Sequence, residues 1–190
     1  MSKFFTVKNL EKFYSAINRV ANTTTLANRN HADIVMRHDI DFSIHAAYKM
    51  AQIEKKCGIT STYFVMLSSS NYNVLAEENY RFINKISELG FEVGLHFYPD
   101  IYKRFSNVED IFKEEISILE WVLDTDVKSY SLHHQDNLIF NGFNSAHEKE
   151  IFSNDVYLSD SSKNFRDKDP YKFINKAKQI LLHPYYYTGA

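Results

Sequence analysis

Arginine, histidine and aspartate side chains lie close together in one short stretch of this 190-residue sequence, MRHDIDFS at residues 36–43. The stretch follows ADIV, an apolar segment typical of a buried strand. Burying the charges of Arg37, Asp39 and Asp41 costs free energy unless they are paired or bind a metal. Two carboxylates beside imidazoles form a site for a borderline divalent cation such as zinc. They also supply the general base and general acid that hydrolysis needs.

Ionisable residues also follow the later apolar segments of the sequence. In chain order they are His96 with Asp100, His133 with His134, Asp160 with Arg166 further on, and His183. In parallel α/β proteins the carboxyl ends of the strands meet at one edge of the sheet, and sites form there. A single histidine or aspartate at a strand end is more often a hydrogen-bonded structural residue or a helix cap. Together, these residues predict one active or binding site.

The spacing of apolar residues predicts alternating strands and helices. Strands are predicted at residues 33–39, 60–66, 91–97, 127–134, 155–161 and 178–184, and helices at residues 7–20, 43–58, 75–90, 107–125 and 170–177. Strands separated by helices of this length predict a mostly parallel α/β sheet with helices outside it. Six strands are few for a closed eight-stranded barrel, so the pattern favours an incomplete barrel or an open sheet.

The composition excludes several classes of protein. With 44% hydrophobic residues the chain is not disordered by composition, and a net charge of −2 does not favour a nucleic-acid partner. No apolar run has the length of a membrane span. The N-terminal residues lack the apolar region of a signal peptide, which predicts a cytoplasmic protein. Cys57 is the only cysteine, so the chain forms no internal disulfide.

A series of short motifs resembles the polysaccharide deacetylase superfamily, the NodB-homology or carbohydrate esterase family 4 type, and within it a branch with an RHDVD signature. The motifs are RHDIDFS, AQIEKKCGITSTYFVM, LGFEVGLHFYPD, YSLHHQDN, VYLSDSSKNFRD and ILLHPYYY, in that order. The resemblance covers about residues 33–187. The resemblance implies a distorted, incomplete (β/α) barrel of about six to seven mostly parallel strands. It also implies a metal-dependent hydrolase that removes acyl groups by cleaving amide (C–N) or ester bonds.

The resemblance assigns roles to individual residues of the proposed site. Asp39 would be the general base and His183 the general acid. Asp41 and His96 would bind a divalent metal, zinc in the first place. The second histidine of the family's metal motif is missing, and Asp100 stands at its position as the third expected ligand.

The remaining strand-end residues are expected to bind substrate or to organise the site. His134 stands where the family has an arginine, so the usual organising contact is altered. The other members of this group are Arg37, His38, His133, Asp160 and Arg166.

The resemblance predicts one catalytic-type domain over residues 1–190, with an N-terminal helix and connection at residues 1–24 and the barrel at residues 33–187. The expected substrate is an acylated sugar or a precursor of a surface polysaccharide such as lipopolysaccharide or capsule. Two alternatives stay open. In the first, the chain is a degenerate family member that binds a saccharide or a protein partner without catalysis. In the second, the strand-end charges form a purely structural network, with pairs such as Arg37–Asp39 and His133–Asp160.

Two further features leave open questions. The chain ends soon after the last predicted strand, so the N-terminal helix or a second subunit of a homo-oligomer is expected to cover that strand. Aromatic residues near the proposed site either stack on sugar rings or pack in the core. They are Phe42, Phe97, Tyr98, Tyr102, Phe165, Tyr185, Tyr186 and Tyr187.

Overall fold

The computed structural model describes residues 4–30, 33–102, 104, 107–134, 138–165 and 167–189, and Arg166 lies outside these ranges. The strands are β1 Thr23–Thr24, β2 Ile34–Ile40, β3 Thr62–Val65, β4 Glu92–Phe97, β5 Ser129–Leu132, β6 Asn144–Ser145, β7 Tyr157–Ser159 and β8 Gln179–Leu182. The α-helices are α1 Val7–Ile17, α2 Ile44–Cys57, α3 Glu77–Glu88, α4 Val108–Leu123, α5 Lys149–Phe152, α6 Pro170–Phe173 and α7 Tyr185–Thr188. Single 3₁₀ turns cover Pro99–Tyr102, Ser161–Lys163 and Ile174–Lys176.

The strands form one curled parallel sheet in the order β6-β5-β4-β3-β2-β8-β7, and β1 pairs with the start of β2. Within the described ranges β6 and β7 do not pair, so the barrel stays open between them. This confirms the predicted fold class, an incomplete (β/α) barrel with outer helices. Each of the six predicted strands overlaps an observed one, and β2 runs one residue further than predicted. The two-residue strands β1 and β6 were not predicted, because two residues are too few to show a periodic pattern.

Helix α2 begins directly after the two aspartates, and its first turn is capped by a serine. The Ser43 hydroxyl accepts a hydrogen bond from the Ala46 amide at 3.2 Å, and Gly58 ends the helix with a left-handed φ of 70°. Because Ser43 is the cap, the Asp41 carboxylate is not used to cap this helix. It is therefore available at the carboxyl edge of the sheet.

Strand β2 is buried along its whole length, and its side chains alternate between two different environments. Ile34, Met36 and Ile40 pack among the outer helices, whereas Val35 packs with Phe64 inside the curled sheet. The same alternation turns residues 37 and 39 toward the inside and residue 38 toward the helices.

Helix α1 covers the last strand, which is the first of the two alternatives expected from the sequence, the N-terminal helix and not a second subunit. Leu10 and Phe13 of α1 share a buried cluster with Ile180 and Leu182 of β8. Strand β8 lies between β2 and β7, so it is not an edge of the sheet. No described helix combines the length and the apolar character needed to cross a membrane.

Candidate active and metal site

A cavity of about 110 Å³ opens at the carboxyl end of the sheet. Residues at or just after the ends of six strands, β2, β4, β5, β6, β7 and β8, reach it, because parallel strands end at the same edge. Six of the predicted site residues line this cavity, namely Arg37, Asp39, Asp41, His96, His133 and His183.

Three of these side chains direct ligand atoms at one point. Oδ1 of Asp41 is 3.2 Å from Nε2 of His96 and 3.6 Å from Nδ1 of His133. The two imidazole nitrogens are 3.1 Å apart. All three atoms therefore lie within 4.8 Å of one another, close enough for each of them to contact one ion. Two imidazoles and a carboxylate form a donor set that suits zinc.

Hydrogen bonding prepares His96 to act as a ligand. Its Nδ1 atom lies 3.3 Å from the carbonyl oxygen of Ser131 on β5, which can only accept a hydrogen bond, so Nδ1 carries a proton and Nε2 is turned toward Asp41. Oδ1 of Asp41 is buried and accepts no hydrogen bond from the described residues. Burial raises the pKa of Asp41, but the facing imidazoles of His133 and His96 together lower it by more. The net pKa is below the ordinary value, so the carboxylate is ionised. A buried anionic oxygen beside two imidazole nitrogens fits a divalent cation.

Asp39 is a buried carboxylate held by an arginine from its own strand. It is 4% exposed, and its Oδ2 atom accepts a hydrogen bond from Arg37 at 3.0 Å. Burial raises the pKa of Asp39, but the Arg37 guanidinium together with the nearby His96 and His183 more than offsets this, and the net pKa is lowered. Oδ1 is buried without a hydrogen-bond partner among the described residues. It is therefore a free acceptor at the cavity.

His183 is oriented by a second buried aspartate. Its Nδ1–H donates to Oδ1 of Asp160 at 2.6 Å, and its backbone amide donates to Oδ2 of Asp160 at 3.0 Å. Nε2 of His183 then lies 3.6 Å from Oδ2 of Asp41. Burial lowers the pKa of His183, but the carboxylates of Asp160, Asp39 and Asp41 together raise it to about 9, with Asp160 contributing most. The ring is therefore protonated at neutral pH.

His147 lines the same cavity and was missed by the sequence analysis. It follows β6, and the Leu132 amide donates to its Nδ1 atom at 3.4 Å. Burial and the nearby Arg37 charge lower the pKa of His147 to about 3, so the ring is neutral and carries its proton on Nε2. Like the other site residues it follows a strand, but that strand has only two residues and was not recognised.

Asp100 and His134 lie apart from the cluster of ligand atoms. The carboxylate of Asp100 contacts Nδ1 of His134 at 2.7 Å, and the His134 side chain is 54% exposed. The structure therefore does not bring Asp100 together with Asp41 and His96, and His133 from β5 takes the third position. Of the paired charges considered from the sequence, Arg37–Asp39 forms, whereas Asp160 pairs with His183.

His38 is not at the cavity either. It is fully buried between β2 and α2, where Nδ1 lies 3.0 Å from the carbonyl oxygen of Leu182 and Nε2 lies 2.8 Å from Glu54. Glu54 also accepts hydrogen bonds from Ser61 at 2.6 Å and from Tyr63 at 2.8 Å. Both ring nitrogens of His38 are satisfied in this network, so its contacts are structural and the site-organising role predicted for it has no support here.

No family model matches the sequence, and no curated protein matches it. Several solved structures do match the chain. The CE4 (carbohydrate esterase family 4) domain of a multidomain xylanase from the hindgut metagenome of Trinervitermes trinervoides matches with a TM-score of 0.54 and 14% identity, over 86% of this chain and 74% of that chain. A CE4 family pseudoenzyme from Bacillus anthracis matches with a TM-score of 0.51 and 14% identity, over 80% of this chain and 54% of that one. A mutant of the pseudoenzyme with restored enzymatic activity matches with a TM-score of 0.53 and 15% identity, over 80% of this chain and 56% of that one.

These likenesses confirm the suspected NodB-type fold. The chain spans a little over half the length of the pseudoenzyme chains. At 14–15% identity the likeness shows the fold alone, and an enzyme and a pseudoenzyme share it. Function has to be argued from the site itself.

Proposed function

We propose that the protein is a metal-dependent hydrolase of the deacetylase type. It removes an acyl group from a sugar or from a surface-polysaccharide precursor by cleaving an amide bond. The observation that carries this proposal is the grouping of a ligand cluster, a free carboxylate and a protonated imidazole in one cavity. Deacylation in particular is supported by the fold shared with a CE4 domain, and the cytoplasmic location stays a prediction from the sequence.

Asp41, His96 and His133 are the residues that would hold the metal, and zinc is the ion that this donor set fits best. A divalent ion bound there supplies Lewis acidity toward a carbonyl oxygen and toward water. The proposed ligand set differs from the one implied by the family motif, because His133 replaces Asp100.

Asp39 accepts the proton of the attacking water in the proposed reaction. Its carboxylate is ionised and its Oδ1 atom has no hydrogen bond from the described residues, which is the state a general base needs. Arg37 holds the other oxygen at 3.0 Å and so orients the carboxylate toward the cavity. The base and its orienting cation come from alternate positions of one strand, β2.

His183 donates a proton to the leaving nitrogen or oxygen. Because the nearby carboxylates, Asp160 foremost, raise its pKa to about 9, the ring carries a proton at neutral pH. Its Nδ1–H is held by Asp160, so the proton that is transferred is the one on Nε2. A carboxylate base and an imidazolium acid with opposite pKa shifts divide the two proton transfers between them.

The alternative function is saccharide binding without catalysis. The similarity to a CE4 family pseudoenzyme favours it, since this fold also occurs without activity. Retention of both proton-transfer groups favours catalysis, because a protein that only binds has no use for an oriented general acid.

Acetate release tests the proposal. The zinc-loaded protein is incubated with N-acetylglucosamine oligomers and with acetylated nucleotide sugars, and free acetate is measured. The Asp39→Asn variant keeps the shape of the side chain but cannot accept the proton, so we expect activity to fall by about 100-fold or more while zinc is retained. Unchanged turnover in Asp39→Asn would show that Asp39 is not the base. Absence of acetate release from every substrate, with zinc bound, would favour the binding function.

A further inference from the structure

Two exposed aromatic rings stand beside the residues of the cavity. Phe42 follows Asp41 directly, and Tyr185 lies two residues after His183. The rings are 43% and 45% exposed, their centroids are 5.3 Å apart, and their planes meet at 39°. Two large apolar rings that contact each other in solvent form a small exposed apolar surface, and such surfaces are a common feature of binding sites.

The other aromatic residues considered from the sequence are largely engaged elsewhere. Phe97 is buried against Phe112, and Phe165 is buried against Phe4. Tyr187 is only 6% exposed. Tyr98, Tyr102 and Tyr186 are half-buried, and the rings of Tyr98 and Tyr186 pack against His133 and His183. Phe42 and Tyr185 are therefore the most exposed rings of this group.

The protein holds this pair in place through contacts on the buried side. The hydroxyl of Thr188, at the end of α7, donates to the carbonyl oxygen of Ala46 in α2 at 2.7 Å. This bond ties the short helix that carries Tyr185 to the first turn of α2, next to Phe42. A surface that is already formed binds a ligand without the entropic cost of ordering it.

The cavity is too small to enclose a sugar. Its volume of about 110 Å³ is well below the roughly 300–1,000 Å³ of pockets that surround a whole small-molecule ligand. A short acyl group fits inside, and the rest of the substrate has to lie outside the cavity. The Phe42–Tyr185 pair is an exposed apolar surface that lies within two residues of Asp41 and His183 along the chain.

We propose that Phe42 and Tyr185 form a stacking subsite for a pyranose ring of the substrate, while a short acyl group, of acetyl size, enters the cavity. The inference rests on the proposed function and adds the position of the sugar and the size of the acyl group. A pyranose has an apolar C–H face that packs against an aromatic face, while its hydroxyl groups stay in water. The subsite is therefore selective for saccharides over acyl compounds without a ring.

Binding of saccharides is measured by NMR titration with N,N′-diacetylchitobiose and with cellobiose, which carries no acyl group and cannot be deacylated. The variants are Phe42→Ala and Tyr185→Ala, with Tyr185→Phe as the conservative variant. Tyr80→Ala is the matched control, because Tyr80 is 38% exposed on α3, which contributes no residue to the cavity. Zinc content is measured in every variant to show that the ligand cluster is intact.

We expect both alanine variants to bind the two saccharides roughly three- to tenfold more weakly, with zinc content unchanged, and Tyr185→Phe and Tyr80→Ala to bind like the wild type. Equal affinity in all variants, or no saccharide binding by the wild type, overturns the subsite. Binding of adenosine in place of the saccharides would assign the pair to a nucleobase and also overturn it. The subsite is tested by binding and the proposed function by acetate release, so the two can fail separately. If the protein binds cellobiose at this pair but releases no acetate, the proposed function fails and the subsite stands.

Discussion

Nδ1 of His133 lies 3.1 Å from Nε2 of His96, although the two histidines come from the ends of different strands, β5 and β4. A third ligand atom, Oδ1 of Asp41, faces both of them. The proposed ligand set comes from three strand ends, so it holds its shape only as long as the sheet does. The 3₁₀ turn after β4 places Asp100 against His134 instead.

This arrangement predicts which substitutions remove the metal. After equilibration with zinc and removal of the excess, elemental analysis should find about one ion per chain in the wild type. Asp41→Ala, His96→Ala and His133→Ala should each lose most of it, because three protein ligands are needed to hold zinc tightly. Asp100→Ala is the matched control and should keep its zinc. Loss of zinc in Asp100→Ala with retention in His133→Ala would reverse the assignment.

Arg37 is predicted to set the acid limb of the pH–rate profile. Its guanidinium lowers the pKa of Asp39, so replacing it by methionine should raise that pKa. The base is active only when ionised, and the rising limb should therefore move to higher pH in Arg37→Met. Arg37→Lys keeps the charge and should move the limb less. The measurement is acetate release between about pH 2 and 10, and an acid limb that is identical in Arg37→Met and the wild type would contradict the role of Arg37.

Asp160 is predicted to set the alkaline limb. Asp160 is the main one of the carboxylates that raise the pKa of His183 to about 9, and the proposed general acid works only while protonated. Activity should therefore fall as pH rises through that value, and in Asp160→Asn the fall should begin at lower pH. Zinc content should stay the same in this variant, because Asp160 is not one of the three ligands. A falling limb that does not move in Asp160→Asn would show that another group is the acid.

Glu54 is predicted to matter for stability and not for the site. Glu54→Ala would leave His38, Ser61 and Tyr63 as buried polar groups without their partner, which should lower the free energy of unfolding by about 3–5 kcal/mol. Glu148→Ala, which removes a partly exposed ion pair with Arg29, should cost less than about 1 kcal/mol. Urea unfolding compares the two variants. At a temperature where Glu54→Ala is folded it should bind zinc like the wild type, and loss of zinc there would give His38 and Glu54 a part in the site.

The fold could be predicted from the sequence wherever an element is long enough to show its period. The six longer strands and the helices α1 to α4 have that length, and the apolar run before Arg37 identifies β2. Strand β6 has two residues and shows no pattern. The failure to place His147 at the cavity follows from that missing strand.

The misplaced residues have separate physical reasons. His38 lies between Arg37 and Asp39 in the sequence, and the two-residue period of a strand sends it to the opposite face, so its exclusion could have been deduced. The presence of His133 in the cluster in place of Asp100 could not have been deduced from the sequence. It depends on the direction of the chain after β4 and on the rotamer of the His133 ring. Glu54 stands beside two lysines in α2, so in the sequence it looks like a solvent-facing residue.

The alternation along β2 has a consequence for how this protein tolerates insertions and deletions. One face of the strand carries Arg37 and Asp39. The other carries His38, which contacts Glu54 of helix α2. Adding or removing one residue before position 37 would exchange the two faces, sending the ion pair among the outer helices and the apolar side chains into the cavity. Activity and folding would be lost in the same step. Insertions or deletions before position 37 in this strand should therefore be tolerated only in multiples of two residues. A single substitution, in contrast, alters only one face of the strand.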